Sequence, residues 1–325
     1  MTKMSAAICT SLKKVKCDYI PIPSPITNKV LVKTRMSSIC GSDLHIVYMG
    51  WNVFKFPLPP GYPGHEGVGE VIDPGNTDFD TKELVLTVPN IWKSQAFAEY
   101  QLIDPKYLIK LPADLPISHL LMAQQLGTVV YGCKQLPSVI GKTVVVIGQG
   151  SVGLFHNFML KQLGADKIIT IEPIPERRIA GEKMGINESI DLTGDPATKA
   201  VLDLTNGQGA DITIEAVGST ETLNQSIKVT KPLGRIAAFG LPTTMEYVPF
   251  DWNNFFRKKL TMHSVHGSQD EPGLPDFREA LDLIVKGEID MSQFLTHKFH
   301  ISEIQKAFDL ANSKKDGAIK ITIDY

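Results

Sequence analysis

This chain predicts an α/β fold in two parts, a β-rich irregular domain followed by a doubly wound parallel sheet with helices on both faces. Three observations carry that expectation. The chain has 325 residues, too many for one ordinary hydrophobic core. Its patterning changes near residue 140, from short strands broken by proline and glycine to strands alternating with amphipathic helices. A glycine loop follows the first buried strand of the later part and opens its first helix.

Taken in order, residues 28–38, NKVLVKTRMSS, alternate apolar and polar side chains as a half-buried strand does. Proline and glycine punctuate residues 57–75, a loop with a short strand at Gly67–Asp73. Residues 96–112, AFAEYQLIDPKYLIKLP, read as short strands joined by turns. KTVVVIG, 142–148, is an apolar β-branched run suited to a strand buried on both faces. Leu154, Phe155, Phe158, Met159 and Leu163 then recur at helical spacing. KIITIE is the next buried strand, EKMG closes a second helix, and ADITIEAVG, GRIAAFG and KLTMHSV are further strands. Such alternation argues right-handed crossovers in a parallel sheet. Residues 276–286 and 302–312 have the spacing of amphipathic helices, and AIKITID, 318–324, closes the chain as a strand.

Composition narrows the function classes. Hydrophobic residues make up 43% and charged residues 21%, the range of a soluble globular protein. A formal charge of −2 offers no positive excess to draw nucleic acid or anionic lipid. The N-terminal MTKMSAAICTSLKK has no apolar run long enough for a signal peptide or a spanning helix, so a cytoplasmic protein with no membrane contact is expected. The four cysteines, Cys9, Cys17, Cys40 and Cys133, form no CxxC pair and suggest neither a disulfide framework nor a four-cysteine zinc knuckle.

VVVIGQGSVG places Gly148, Gly150 and Gly153 in a GxGxxG arrangement. Gly148 allows the tight turn, Gly150 lets the backbone approach a pyrophosphate, and Gly153 lets helix and strand pack closely. The helix start at Ser151 and Val152 offers free N–H groups to the phosphates. Glu172 ends the next strand, where a carboxylate accepts ribose hydroxyls and repels a 2′-phosphate, favouring NAD over NADP. Arg177 and Arg178 follow closely, and an arginine can accommodate that phosphate. The competing reading is a similar domain that binds another nucleotide, or none.

A histidine and a glutamate stand side by side in PLPPGYPGHEGVGEV, residues 57–71. His65 and Cys40, upstream in SSICGSDLH, are both good zinc ligands, and a catalytic zinc needs three protein ligands with one open position. Glu66 can serve behind the metal or as an exchanging ligand. Asp43 can orient His65 through its other ring N–H. Taken singly, Cys40 reads as a structural thiol and His65 as a loop histidine; the dinucleotide motif downstream raises both. His119, His156, His263, His266, His297 and His300 read as surface or satisfied histidines.

CGSDLH, GHEGVGEV, GQGSVG and EAVG occur in an order and spacing that resembles the medium-chain dehydrogenase/reductase superfamily, in its zinc-dependent alcohol and polyol dehydrogenase branch. The likeness extends from about Ala6 to the C-terminus. It implies a GroES-like catalytic domain over 1–125 and 267–325, interrupted by a Rossmann coenzyme domain over 126–266. It implies that Cys40 and His65 are zinc ligands, that Glu66 is the acid beside the zinc, that Ser42 bonds the substrate oxygen and that His45 ends a proton relay. Thr128 and Val129 then begin the segment lining the nicotinamide. Val217 and Gly218, and Phe239, Gly240 and Leu241, match positions flanking the cofactor. Lys320 matches a basic position that reaches the pyrophosphate. Trp51, Phe54 and Phe56 lie in a loop that is near the substrate in relatives, or form a packed corner.

Two departures stand out. The family's third ligand, a cysteine, aspartate or glutamate, falls at Gln124, a neutral amide. Zinc is then held more loosely by Cys40, His65 and Glu66, or is absent. The family's cysteine-rich lobe is reduced to IWKSQ, so no structural zinc is expected. The leading expectation is one catalytic zinc and NAD, with hydride exchanged with a small molecule: a secondary alcohol, polyol, sugar or hydroxy amino acid. The alternatives are a zinc-free reductase of activated double bonds and a dinucleotide-binding sensor or structural protein without turnover. The strand near 259–265 can pair across a two-fold, giving a homodimer or homotetramer.

Overall fold

The computed structural model describes residues 2–265 and 267–325; His266 lies outside them. The chain divides into two compact units, Met1–Gly127 with Ser268–Tyr325, and Thr128–Gly267.

Strands β1 (Lys3–Ser11) and β2 (Lys14–Pro21) form an antiparallel hairpin, turned at Lys13 with φ +64°. β3 (Val30–Ser38) runs into helix α1 (Gly41–Met49), and β4 (Gly67–Asp73) and β5 (Leu84–Thr87) follow. β6 (Tyr100–Ile103), β7 (Leu108–Lys110), α2 (Ile117–Leu121) and α3 (Ala123–Lys134) lead to the second unit. The hairpin and α1 had no apolar periodicity to announce them: α1 is nine residues long and carries a site rather than an amphipathic stripe.

The second unit begins with β8 (Thr143–Ile147), α4 (Ser151–Gln162), β9 (Lys167–Ile171) and α5 (Pro175–Lys183). It continues with β10 (Glu188–Ile190), α6 (Gly194–Leu204), β11 (Ala210–Glu215) and α7 (Thr220–Val229). β12 (Thr230–Ala238), α8 (Trp252–Arg257) and β13 (Thr261–Ser264) complete it. All neighbours pair in parallel in the order β10-β9-β8-β11-β12-β13. Alternate residues of β8 serve opposite cores, Val144 and Val146 on one face and Val145 and Ile147 on the other. That two-sided burial is why the strand reads as an unbroken apolar run. The order reverses direction between β8 and β11, the place where open α/β sheets receive ligands beyond their strand ends.

The chain then returns to the first unit with α9 (Pro275–Val285), β14 (Leu295–His300), α10 (Ile304–Ser313) and β15 (Lys320–Asp324). β15 pairs antiparallel with β3, matching Thr322 with Ser38 and Ile323 with Ser37. The sheet order is β14-β15-β3-β4-β5-β7, with β6 also on β3. Phe97 and Phe308 meet edge to face at 5.5 Å in this unit's core, beside Ile46 and Ile304. No helix among the described residues is long and apolar enough to cross a membrane.

Candidate active site

β3 ends opposite the start of the β15 pairing, and Ile39 N–H donates to Ile321 O at 3.0 Å. The next residue, Cys40, is the N-cap of α1. Its sulfur accepts from the Asp43 N–H, while Asp43 Oδ2 accepts from the Cys40 N–H at 2.8 Å, a reciprocal capping box. The other Asp43 oxygen lies 3.0 Å from His65 Nδ1. One buried carboxylate thus ties together residues 25 positions apart in the chain.

His65 arrives on a turn that presses against the backbone of residue 97. A Cβ on Gly64 would lie 2.6 Å from Phe97 N, so only glycine fits there. His65 Nδ1 also lies 3.2 Å from Pro63 O, so a proton on Nδ1 has Asp43 and Pro63 as acceptors and Nε2 is the nitrogen left to face a metal. Ser42 Oγ, in the first turn of α1, is 3.3 Å from that Nε2. Burial disfavours an imidazolium here, yet Asp43 and Cys40 outweigh it, and the His65 proton affinity stands well above the ordinary value.

Glu66 is buried at 1% exposure. Its Oε2 accepts from Ser38 Oγ and pairs with Lys320 Nζ, while Oε1 is buried without a partner. Burial alone would raise its pKa, but Lys320 and His65 prevail and hold the carboxyl below the usual range. Donor atoms of Cys40, His65 and Glu66 lie within 4.8 Å of one another. A thiolate, an imidazole and a carboxylate at that spacing, with one Glu66 oxygen left without a partner, fit a divalent zinc. Gln124 is buried in the first turn of α3.

Lys320 is 1% exposed, and its Nζ pairs with Glu66 Oε2 inside the first unit. His45 Nδ1–H donates to Gly41 O at 2.8 Å, and its Nε2 is buried without a partner. Trp51 packs on Trp92 at 5.2 Å, Phe56 lies against the core, and Phe54 is exposed.

In the second unit Gly148 adopts φ +94°, and a Cβ on Gly153 would lie 2.0 Å from Gly148 O. Gly150 is the N-cap of α4 and supplies no side-chain acceptor, so the helix start at Ser151 and Val152 keeps its donors for a ligand. Glu172 Oε2 accepts from Gln149 N–H at 2.8 Å and Oε1 from Ile174 N–H at 2.9 Å, fixing the carboxylate beside the loop. A Cβ on Gly150 would stand 3.7 Å from the Arg177 guanidinium. The loops after β11 and β12 close on the same end of the sheet. A Cβ on Gly148 would lie 2.7 Å from Val217 Cγ2, and one on Gly218 1.8 Å from Leu241 O. Gly240 is equally tight, 2.2 Å from Gly218 N by the same construction. Phe239 joins through its backbone; its ring packs edge-on against His156 at 4.9 Å.

Two residues escaped sequence reasoning. Glu215, the last residue of β11, accepts from the Val217 and Gly218 N–H groups at 2.9 Å each and so shapes that loop. Burial raises its pKa, and the hydrogen bonds offset this only in part. Gln149 is wholly buried and bonded by Asn157 at 2.6 Å. Acidic and amide side chains inside a β-strand and a glycine loop were the available signals.

Comparison with known proteins agrees with this geometry. The family model described as alcohol dehydrogenase GroES-like domain matches residues 27–113, and that described as zinc-binding dehydrogenase matches residues 151–286. The chain is 26% identical to an L-threonine 3-dehydrogenase of Coxiella burnetii over 92% of this chain and 93% of that protein. It is 27% identical to the L-threonine 3-dehydrogenase of Thermococcus kodakarensis over 92% of each. The solved alcohol dehydrogenase from Thermus sp. ATN1 superposes with a TM-score of 0.84 at 25% identity, covering 99% of this chain and 100% of that one. Fold, metal-donor geometry and family matches converge, and the chain belongs to the zinc-dependent alcohol and polyol dehydrogenase branch of the medium-chain dehydrogenase/reductase superfamily, oxidoreductases acting on CH–OH groups with a nicotinamide cofactor.

Proposed function

We propose that this chain oxidises a secondary alcohol, polyol, sugar or hydroxy amino acid with NAD, at a single zinc held by Cys40, His65 and Glu66. The observation that carries the reading is the convergence of those three donors within 4.8 Å. The L-threonine 3-dehydrogenases among its relatives bring a hydroxy amino acid into the substrate range. Gln124, at the position where the family carries its third ligand, is neutral and buried, a weak donor at most.

A zinc ion held by those residues would supply Lewis acidity to a substrate oxygen, and a bound nicotinamide would supply the hydride acceptor. Ser42 Oγ bonds the substrate hydroxyl and relays its proton, accepting it while passing its own hydroxyl proton on toward His45; its present partner is His65 Nε2, the atom a cation would claim. His45, one turn along α1, is held in the Nδ1–H tautomer by Gly41 O, so its free Nε2 is the base that receives a proton. Asp43 keeps His65 in the tautomer that presents Nε2. Glu172 and the α4 N-terminus hold the dinucleotide, and the fixed carboxylate favours a free ribose 2′-hydroxyl, hence NAD over NADP.

Elemental analysis and a panel of alcohols and ketones, followed at the nicotinamide absorbance, test the reading. About one zinc per chain is expected, lost together with turnover in Cys40→Ala. Full activity in metal-free Cys40→Ala overturns it. We also propose a homo-oligomer. Among the described residues β13 is paired only with β12, and beside it α8 exposes Trp252 at 61% and Phe256 at 68%, an edge and an apolar surface that a second copy would cover.

A further inference from the structure

We infer that Lys320 is a positioning residue of the metal centre, which together with Ser38 holds one oxygen of Glu66 so that the other is presented to the cation. The inference rests on the reading that Cys40, His65 and Glu66 hold zinc.

The register of β15 on β3 creates the arrangement. Thr322 stands opposite Ser38, so Lys320 opens its strand just beyond the end of β3, where Ser38 N–H donates to Glu66 O at 3.2 Å. Both charged side chains are 1% exposed. Two donors, Ser38 Oγ and Lys320 Nζ, converge on Oε2, and none reaches Oε1. A buried carboxylate oxygen without a partner is costly, and a site that concentrates both donors on the other oxygen has reserved it. Release of Lys320 to a phosphate would strand the Glu66 charge in a dry interior, which is strongly unfavourable. Lysine here therefore acts on the metal through Glu66. With Gln124 neutral, the geometry of Glu66 decides how firmly the ion is held.

Zinc-loaded wild type, Lys320→Met, Lys320→Arg and Ser38→Ala are compared in three measurements. These are the rate of zinc loss to a chelator, the visible spectrum of the cobalt-substituted protein, and NAD affinity by fluorescence titration. Lys320→Met should lose zinc about 10-fold faster and shift the cobalt bands, as loss of a group that orients a ligand does. Ser38→Ala should move both in the same direction by less, Lys320→Arg should restore both, and NAD affinity should hold within about 2-fold. Unchanged zinc loss and cobalt spectrum in Lys320→Met overturn the inference, and a fall in NAD affinity alone would make Lys320 a phosphate ligand. Should Lys320→Met fail to fold, Ser38→Ala decides: wild-type zinc retention and spectrum overturn the inference. A wild-type protein that takes up no metal overturns the parent reading instead, and is recognised before any variant is compared.

Discussion

Asp43 gives each oxygen of one carboxylate to a different residue of the proposed metal set, Cys40 through its backbone and His65 through its ring. At this scale the side chains named by the motifs were legible, because the Cys-Gly-Ser-Asp and Gly-His-Glu runs are local. Their partners were not. Lys320 and Glu66 are 254 positions apart, and no spacing rule joins them. Cysteine access follows the same geometry. Cys9 and Cys133 are buried, their thiols pushed up to about 11 and about 12 by desolvation, so neither is a nucleophile near neutrality. Cys17 is half-buried and burial raises its thiol as well, so iodoacetamide on the folded, metal-free protein should modify Cys40 first, and zinc should protect it, as peptide mass mapping would show. Rapid labelling of Cys133 would contradict that. Glu215→Leu strips the acceptor from two N–H groups of the Val217–Gly218 turn. At about 1–3 kcal/mol for an unsatisfied buried group, NAD affinity should fall about 10-fold in a binding titration.

The glycine loop and α4 show how one element serves binding and stability together. A Cβ on Gly153 would sit 2.0 Å from Gly148 O, so Gly153→Ala must push α4 off β8. A cost of about 1–3 kcal/mol and loss of NAD binding are expected, read by thermal unfolding and titration. Farther along α4, desolvation lowers the pKa of His156 to about 4 from 6.5, with a Val152 carbonyl bond opposing in part. A depressed histidine contributes stability that is complete above its unfolded pKa and is lost as pH falls toward about 4. Between about pH 7.5 and about pH 5 wild type should lose roughly 2 kcal/mol through this group, and His156→Leu should lose less by that amount in urea titrations. Equal acid sensitivity in both proteins would dismiss the assignment. Elements with strong periodicity, β8 and α4, were readable from the chain; the β1–β2 hairpin and α1 were not, since pairing and capping rather than apolar repeats define them.

For the whole molecule, the proposed homo-oligomer turns on the β13 edge and the α8 surface beside it. Trp252, Phe255 and Phe256 cluster on α8, with ring centroids 5.9 Å apart for each pair that includes Trp252. If the proposed oligomer forms through this surface, Trp252→Glu with Phe256→Glu should reduce it to monomer in sedimentation velocity while the cobalt spectrum stays unchanged; an unaltered sedimentation coefficient would remove that surface from the proposed interface.

By itself the amino-acid order determined the two-part α/β plan, the dinucleotide loop and the identities of sulfur, imidazole and carboxylate, because each is written within a few turns of local periodicity or spacing. Only the tertiary structure decided which oxygen of Glu66 is free, where the Lys320 charge is spent and what shapes the Val217 turn. Those outcomes depend on strand register and burial, which bring distant residues within a few ångströms and make an unpaired charge too costly to leave alone.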